Sequence, residues 1–220
     1  MISLYPPARK TGRFFHAMST LCYSGTFAYY DAVNWKAKLS MQDREILLND
    51  WSIQGEESMK KAASWLLEEG KRAEFRRFQN QMRFLNNKDR QSVIESTKDK
   101  EAKHKMNVAL HYMDRLPAET IAALDYSLCV ALCLQAERNG FIGRINSLPF
   151  KTEAAVRAQQ AYSSWADYTA AFLAGLQFTK HTGEEAQKMM EEEERFLAKL
   201  LVSGQSPFQN VSWNTKIFRL

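Results

Sequence analysis

The sequence predicts an all-α protein: a single compact multi-helix domain with a short N-terminal arm and an extended C-terminal tail. Three observations carry this. Apolar residues recur at the i, i+3, i+4, i+7 spacing of a helix far more often than in strict alternation. Glycine and proline, which punctuate strands and turns, number only nine and five in 220 residues. Apolar residues make up 45% of the chain, enough at this length to bury a core without disulfide or metal staples. The expected boundaries are an arm over residues 1–12, one helical domain over 13–203, and a tail over 204–220 that packs on the domain through its aromatics.

In chain order, Pro6-Pro7 predicts an extended arm to Thr11. From Arg13, the residues Phe14, Met18, Leu21, Cys22 and Val33 mark one side of a helix with Gly25 in its middle. A glycine there costs about 1 kcal/mol against alanine, so a kink or a close helix crossing is expected. Ser40-Met41-Gln42-Asp43 resembles a helix cap opening the short helix that delivers Leu47 and Trp51. The central unit follows. Met59, Ala62, Ala63, Leu66 and Leu67 share one helical face, and Gly70 suits the left-handed residue that ends such a helix. A second helix carries Phe75, Phe78, Met82 and Leu85, and Trp51 is expected to plug one end of the hairpin as a buried anchor.

Residues 86–107 change character and predict an exposed charged helix or a mobile loop. Leu116-Pro117 marks a boundary. Pro117 to Asn139 is the most buried-looking helix, its stripe made by Ile121, Leu124, Leu128 and Leu132, with Asn139-Gly140 closing it. Phe141 to Lys151 reads as a connector, and a helix runs from about Thr152 to Tyr162. Ser164, with Asp167 three residues on, caps a helix whose inner face holds Trp165, Tyr168, Phe172 and Thr179. Thr182-Gly183-Glu184-Glu185 opens the last long helix, Ser203-Gly204 ends it, and the tail carries Phe208 and Trp213.

Several function classes are excluded or disfavoured. The cysteines, Cys22, Cys129 and Cys133, are odd in number, and residues 1–30 show no signal-peptide pattern. A reducing cytoplasm fits them, as small buried hydrophobes rather than metal ligands. No run of about 18 uncharged apolar residues offers a membrane span. The four histidines are scattered, and no phosphate loop, serine nucleophile elbow or Cys-His signature occurs. No metal, cofactor or catalytic residue is assigned.

Asp125 is the most informative single residue, because it stands in an apolar stripe and an unpaired buried carboxylate costs several kcal/mol. Its expected role is to tie one helix to another through an arginine or a Trp N–H. Charge is uneven: residues 71–105 hold eleven Lys or Arg against five acids, and 184–194 hold six acids against one lysine. Lys71, Arg72, Arg76, Arg77 and Arg83, interleaved with Phe75, Phe78 and Phe84, form a basic stretch fit for phosphates. The bland alternative is a solvated helix face with core aromatics.

Five stretches together resemble the DUF1266 family, a bacterial family of unknown function. They are Leu47-Leu48-Asn49-Asp50-Trp51-Ser52-Ile53; Trp65 to Arg72; Leu124-Asp125; Tyr162 to Tyr168 running on to Gly175; and Ser206-Pro207-Phe208 with Trp213. The family often has Trp before the central Asp and Arg three after it, where this chain has Leu124 and Leu128. Arg138 and Arg72 are the candidate replacement cations. The resemblance implies an intracellular bacterial helical domain and supplies no activity. The resulting expectation is a non-enzymatic binding protein that offers a charged groove to a protein partner, with another copy of itself or a toxin and immunity partner among the candidates. The alternatives are nucleic-acid binding through residues 71–105, and a hydrolase using Asp125 in a pocket walled by Trp51 and Trp165. The binding residues expected are Trp51, Arg72, Arg76, Arg77, Asp125, Arg138 and Trp165.

Overall fold

The computed structural model describes residues 6–24, 28–34, 47–116, 118, 120–180 and 184–217. All regular structure among them is helical. The helices are α1 (Pro6–Thr20), α2 (Ala28–Val33), α3 (Glu56–Glu68), α4 (Gly70–Arg83), α5 (Asn87–Ser96), α6 (Lys100–His111), α7 (Ala122–Arg138), α8 (Arg144–Ala161), α9 (Trp165–Thr179), α10 (Glu184–Val202) and α11 (Pro207–Asn210).

The centre is α7. Thirteen of its 17 residues are buried, and a helix apolar on nearly every side must be covered on every side. It is: α1, α3, α4, α8 and α9 all pack against it. The crossing with α9 is especially close, since a Cβ built on Gly175 would fall 2.7 Å from Leu124 Cβ. A second apolar cluster lies between α4, α6 and α9, with Phe75, Phe78, Met82, Met106, Ala109 and Phe178 buried in it. Phe178 meets Phe75 edge-on, the ring centres 5.2 Å apart.

Two charged side chains fasten α7 near its ends. At its first turn is Asp125, described below. At its last, Glu137 takes the ammonium of Lys151 and the hydroxyl of Ser147, both from α8. Lys151 is only 2% exposed. Such a pair contributes little net stability, but removing one partner strands the other in the interior.

The tail is held by aromatic packing. Phe208 stacks on Trp165 with ring centres 4.6 Å apart, and Trp213 meets Trp165 edge-on at 4.8 Å. Each indole N–H finds a carbonyl, Trp165 donating to Val211 (2.7 Å) and Trp213 to Tyr162 (3.1 Å). Phe14 of α1 closes the cluster from the other side.

Several elements differ from the sequence reading. Helix α1 begins at Pro6, in place of an extended arm, because proline fits the first helical turn, where its missing N–H is no loss. The long helix expected from Arg13 to Val33 is two helices. It stops at Thr20, where Ser19 and Thr20 turn their hydroxyls onto the carbonyls of His16 and Ala17, a local bonding that competes with helix continuation. Gly25, the Ser40 to Asp43 cap, Pro117 and the Thr182-Gly183 cap lie outside the described residues. The charged stretch after Asn86 is two helices: Asn86 caps α5 by accepting from the Asp89 amide, and Asp99 caps α6 by accepting from Ala102. The connector at 141–151 is largely the start of α8, with Pro149 in its second turn. The amide that proline lacks would have met the carbonyl of Ile145, a residue 85% exposed to solvent. The Ser164 cap forms as read, its oxygen accepting from the Asp167 amide, and Gly140 ends α7 at φ +73°.

His16 bridges α1 to α2 through its Nε2 and the Ala32 carbonyl (3.1 Å). Burial lowers this imidazole below its ordinary value, outweighing the hydrogen bond that favours the charged form. The folded protein therefore binds that proton less readily than the unfolded chain does. Stability is fully present above the ordinary imidazole value of about 6.5 and falls as pH drops below it. Urea midpoints measured from pH 8 to 5 should decline, and His16→Gln, which keeps a donor without titrating, should flatten the decline. A slope unchanged by the substitution would assign it to other groups.

Candidate functional site

Gly70, Lys71 and Arg72 turn the chain from α3 into α4. Gly70 has φ +61°, a conformation glycine adopts without a Cβ penalty. Two helix ends meet there: the last carbonyls of α3 and the first amides of α4, both unsatisfied within their own helices. Asp125 answers the amides. It accepts from the Lys71 amide (2.7 Å), the Arg72 amide (3.1 Å) and the Arg72 guanidinium (3.0 Å). Arg72 answers the carbonyls, donating through Nη1 to Leu66 (2.6 Å) and through Nη2 to Leu67. Arg157 of α8 adds a further donor to the Leu67 carbonyl and an ion pair to Glu68 at 3.2 Å. One buried ion pair thus neutralises the positive start of one helix and the negative end of another.

The geometry leaves no room for a reacting group. Asp125 is fully buried, and both of its oxygens are engaged. Burial pushes its carboxyl above the usual carboxylate range, while the two amides and the guanidinium pull it back. A Cβ on Gly70 would lie 2.2 Å from Asp125 Oδ2, so the glycine is required by contact as well as by its φ. The anion cradle at the start of α4 is real, and the chain's own carboxylate fills it.

The residues singled out from sequence do not converge. Arg72 and Asp125 come together, whereas Arg138 stands at the far end of α7, roughly 20 Å away by helical rise, beside Tyr23 and His16. Trp51 is half-buried rather than a core anchor. It rests against Trp65 of α3, ring centres 5.9 Å apart, and Trp65 is itself 36% exposed. Trp51 sits outside because Trp65 lies beside the apolar stripe of α3. Trp165 belongs to the tail cluster. Neither tryptophan contributes a polar contact to Asp125, whose partners are Lys71 and Arg72.

The basic stretch divides as well. Phe75 and Phe78 are core, Arg72 is spent on Asp125, and Lys71 lies over the Trp65 ring at 5.8 Å. Arg90 donates to the carbonyls of Met82 and Arg83 and so finishes the end of α4. Lys105 is held by Glu74 and Glu101. The outer face of α4 remains. Arg76, Gln79, Asn80 and Arg83, at i, i+3, i+4 and i+7, line a cleft of about 150 Å³ whose other wall is Met113, Asp114 and Ala118. Arg77 stands beside it, 3.8 Å from Glu74. Phe84, the next residue after Arg83, is 93% exposed. Gln79, Asn80 and Asp114 were missed from sequence; the polar i, i+3, i+4, i+7 stripe was the signal available.

Two acids of the α10 run are engaged at α9 instead of at this cleft. Glu193 pairs with Lys180 at 2.7 Å and Glu194 accepts from Gln177, both at α9. Among the described residues no group of three His, Cys, Asp or Glu is placed to hold a metal ion, and no helix is long and apolar enough to cross a membrane. Burial pushes the Cys22 thiol up, and a hydrogen bond with Cys133 together with burial does the same for Cys129, both away from the reactive thiolate.

The class defined by this fold and this junction is an all-α domain built around one buried helix. The model of the family described as "Protein of unknown function (DUF1266)" matches residues 46–213, and the chain belongs to that family. No curated protein and no solved structure matches it. The match begins just before the helical residues 47–50 and ends at Trp213, so it spans the α3 and α4 junction, α7 and the tail cluster.

Asp125→Asn should cost about 3–5 kcal/mol, because it leaves the Arg72 guanidinium buried without its counter-charge. Gly70→Ala should cost at least as much in the native background. With Asp125→Ala beneath it, the same change should cost only the left-handed strain of about 1–2 kcal/mol. Denaturant unfolding of the native chain, Gly70→Ala, Asp125→Ala and the double variant measures the coupling; additive effects would mean that the glycine is there for its φ alone.

Proposed function

We propose that this domain is a non-enzymatic binding protein that receives an acidic segment of a protein partner on the outer face of α4, and that it works in the cytoplasm of a bacterial cell. The observation that carries the reading is the cleft between α4 and the wall of Met113, Asp114 and Ala118, with arginines at both ends of its α4 wall and a fully presented phenylalanine beside it. Arginine and exposed aromatics are the residues enriched where partners bind. The absence of a reactive motif in the sequence and the engagement of Asp125 in a structural clamp support binding over hydrolysis. The unpaired cysteines support a reducing compartment.

A second reading is single-stranded nucleic acid on the same face, favoured by Phe84 beside Arg76, Arg77 and Arg83. It is the lesser reading because Phe75 and Phe78 lie in the core, leaving one aromatic for stacking where such sites use several.

The test is affinity capture at low salt, with and without nuclease, comparing the native chain with Arg76→Glu plus Arg77→Glu. Both arginines are exposed, so the variant should keep its unfolding midpoint. The expected result is a stoichiometric protein that survives nuclease and is lost from the variant. Nucleic acid alone, bound with a steep salt dependence, would replace the first reading by the second. A partner retained equally by the variant would remove the α4 face from the account.

A further inference from the structure

We propose that the α4 cleft is a receptor for one carboxylate, the side chain of an acidic residue in the partner, and that it discriminates against phosphate. This rests on the binding role of the α4 face and names the group bound there. Helix rise places Gln79 and Asn80 midway between Arg76 and Arg83, about 5 Å along the axis from each. An anion over the two carboxamides is therefore within reach of a guanidinium. The side chains of Arg76, Gln79 and Asn80 make no hydrogen bond or ion pair to another described residue, although Gln79 is only 9% exposed. Arg83 already has a partner within the chain, and Arg76 supplies the guanidinium.

Charge sets the ligand class. Asp114 lines the opposite wall, held at φ +63°. A phosphate monoester carries about −1.5 to −2 at neutral pH; one guanidinium does not balance that, and Asp114 repels the excess. A carboxylate carries one charge, matches the fork of one arginine, and leaves its outer lone pairs to the carboxamide N–H groups of Gln79 and Asn80. Size sets the source. A cleft of about 150 Å³ is well below the roughly 300–1,000 Å³ of small-molecule sites, so it accommodates the tip of a side chain. Phe84, directly after Arg83, offers an apolar contact to a neighbouring residue of the same segment.

The experiment is an NMR titration of the full chain at constant ionic strength, following the side-chain amides of Gln79 and Asn80. The probes are N-acetylglutamate N-methylamide, whose only carboxylate is the side chain, N-acetylalanine, whose only carboxylate is terminal, and inorganic phosphate. The glutamate derivative should shift both amides saturably and more tightly than phosphate. Arg76→Met should weaken it about tenfold, the scale of one lost charge-assisted bond. Asp114→Asn, which tolerates the same left-handed backbone, should raise phosphate affinity about three- to fivefold and change the glutamate derivative less. Phosphate binding as tightly as the glutamate derivative, or shifts indifferent to Arg76→Met, would overturn the proposal. A preference for N-acetylalanine would assign the cleft to chain termini and refute the side-chain source. Failure here with a partner still captured through Arg76 and Arg77 removes only the carboxylate receptor. A normal titration with capture unaffected by those arginines removes only the docking role.

Discussion

The structure depends on how one carboxylate and one guanidinium are shared between two helix ends. Helices α3 and α4 follow each other with Gly70 between them, so unsatisfied carbonyls and unsatisfied amides lie side by side where water does not reach. Asp125, coming from α7, takes two amides, and Arg72 takes two carbonyls while pairing with Asp125. Neither charge is tolerable alone in that environment. Together they satisfy backbone groups that no apolar side chain could serve, and this is why a costly pair occupies the core.

The same pair sets the register of the domain. It fixes the first turn of α7 against the α3 and α4 junction, and Lys151 with Glu137 fixes the last turn against α8. Between these points α7 is mostly apolar, and apolar packing is less directional than a bonded pair of charges. Polar clamps specify one packing, joining Glu137 to Lys151 across 14 residues of chain and Asp125 to Arg72 across 53. Specification of this kind is the best-attested use of buried polar groups. With the frame so fixed, α4 presents a constant outer face, and the cleft owes its shape to a rigid helix on one wall.

Much of this was legible in the residues. Spacing gave the apolar faces of α3, α7 and α9, Gly70 and Gly140 marked helix ends, and Ser164 with Asp167 marked a helix start. Asp125 announced a buried partner simply by standing in an apolar stripe. Where the reading failed, local chemistry was ambiguous. Pro6-Pro7 is compatible with an arm or a first helical turn. The run after Asn86 is polar enough for a loop until its two caps and the buried Ile94 and Met106 are seen. Trp51 is apolar enough for a core, yet it lies on the flank of α3.

The sequence by itself determined the class of fold, the position of most helix ends, the inward direction of Asp125 and the excess of positive charge between residues 71 and 105. Those follow from periodicity, backbone preference and charge, which are properties of neighbours along the chain. Only the tertiary structure decided which arginine meets Asp125, because Arg72 and Arg138 are equally basic and lie 53 and 13 residues away in opposite directions. It also decided which of the cations on α4 are spent on helix ends and which face outward. Pairing across the core depends on where helices cross, and that is set by the sum of all the packing, which no local pattern encodes.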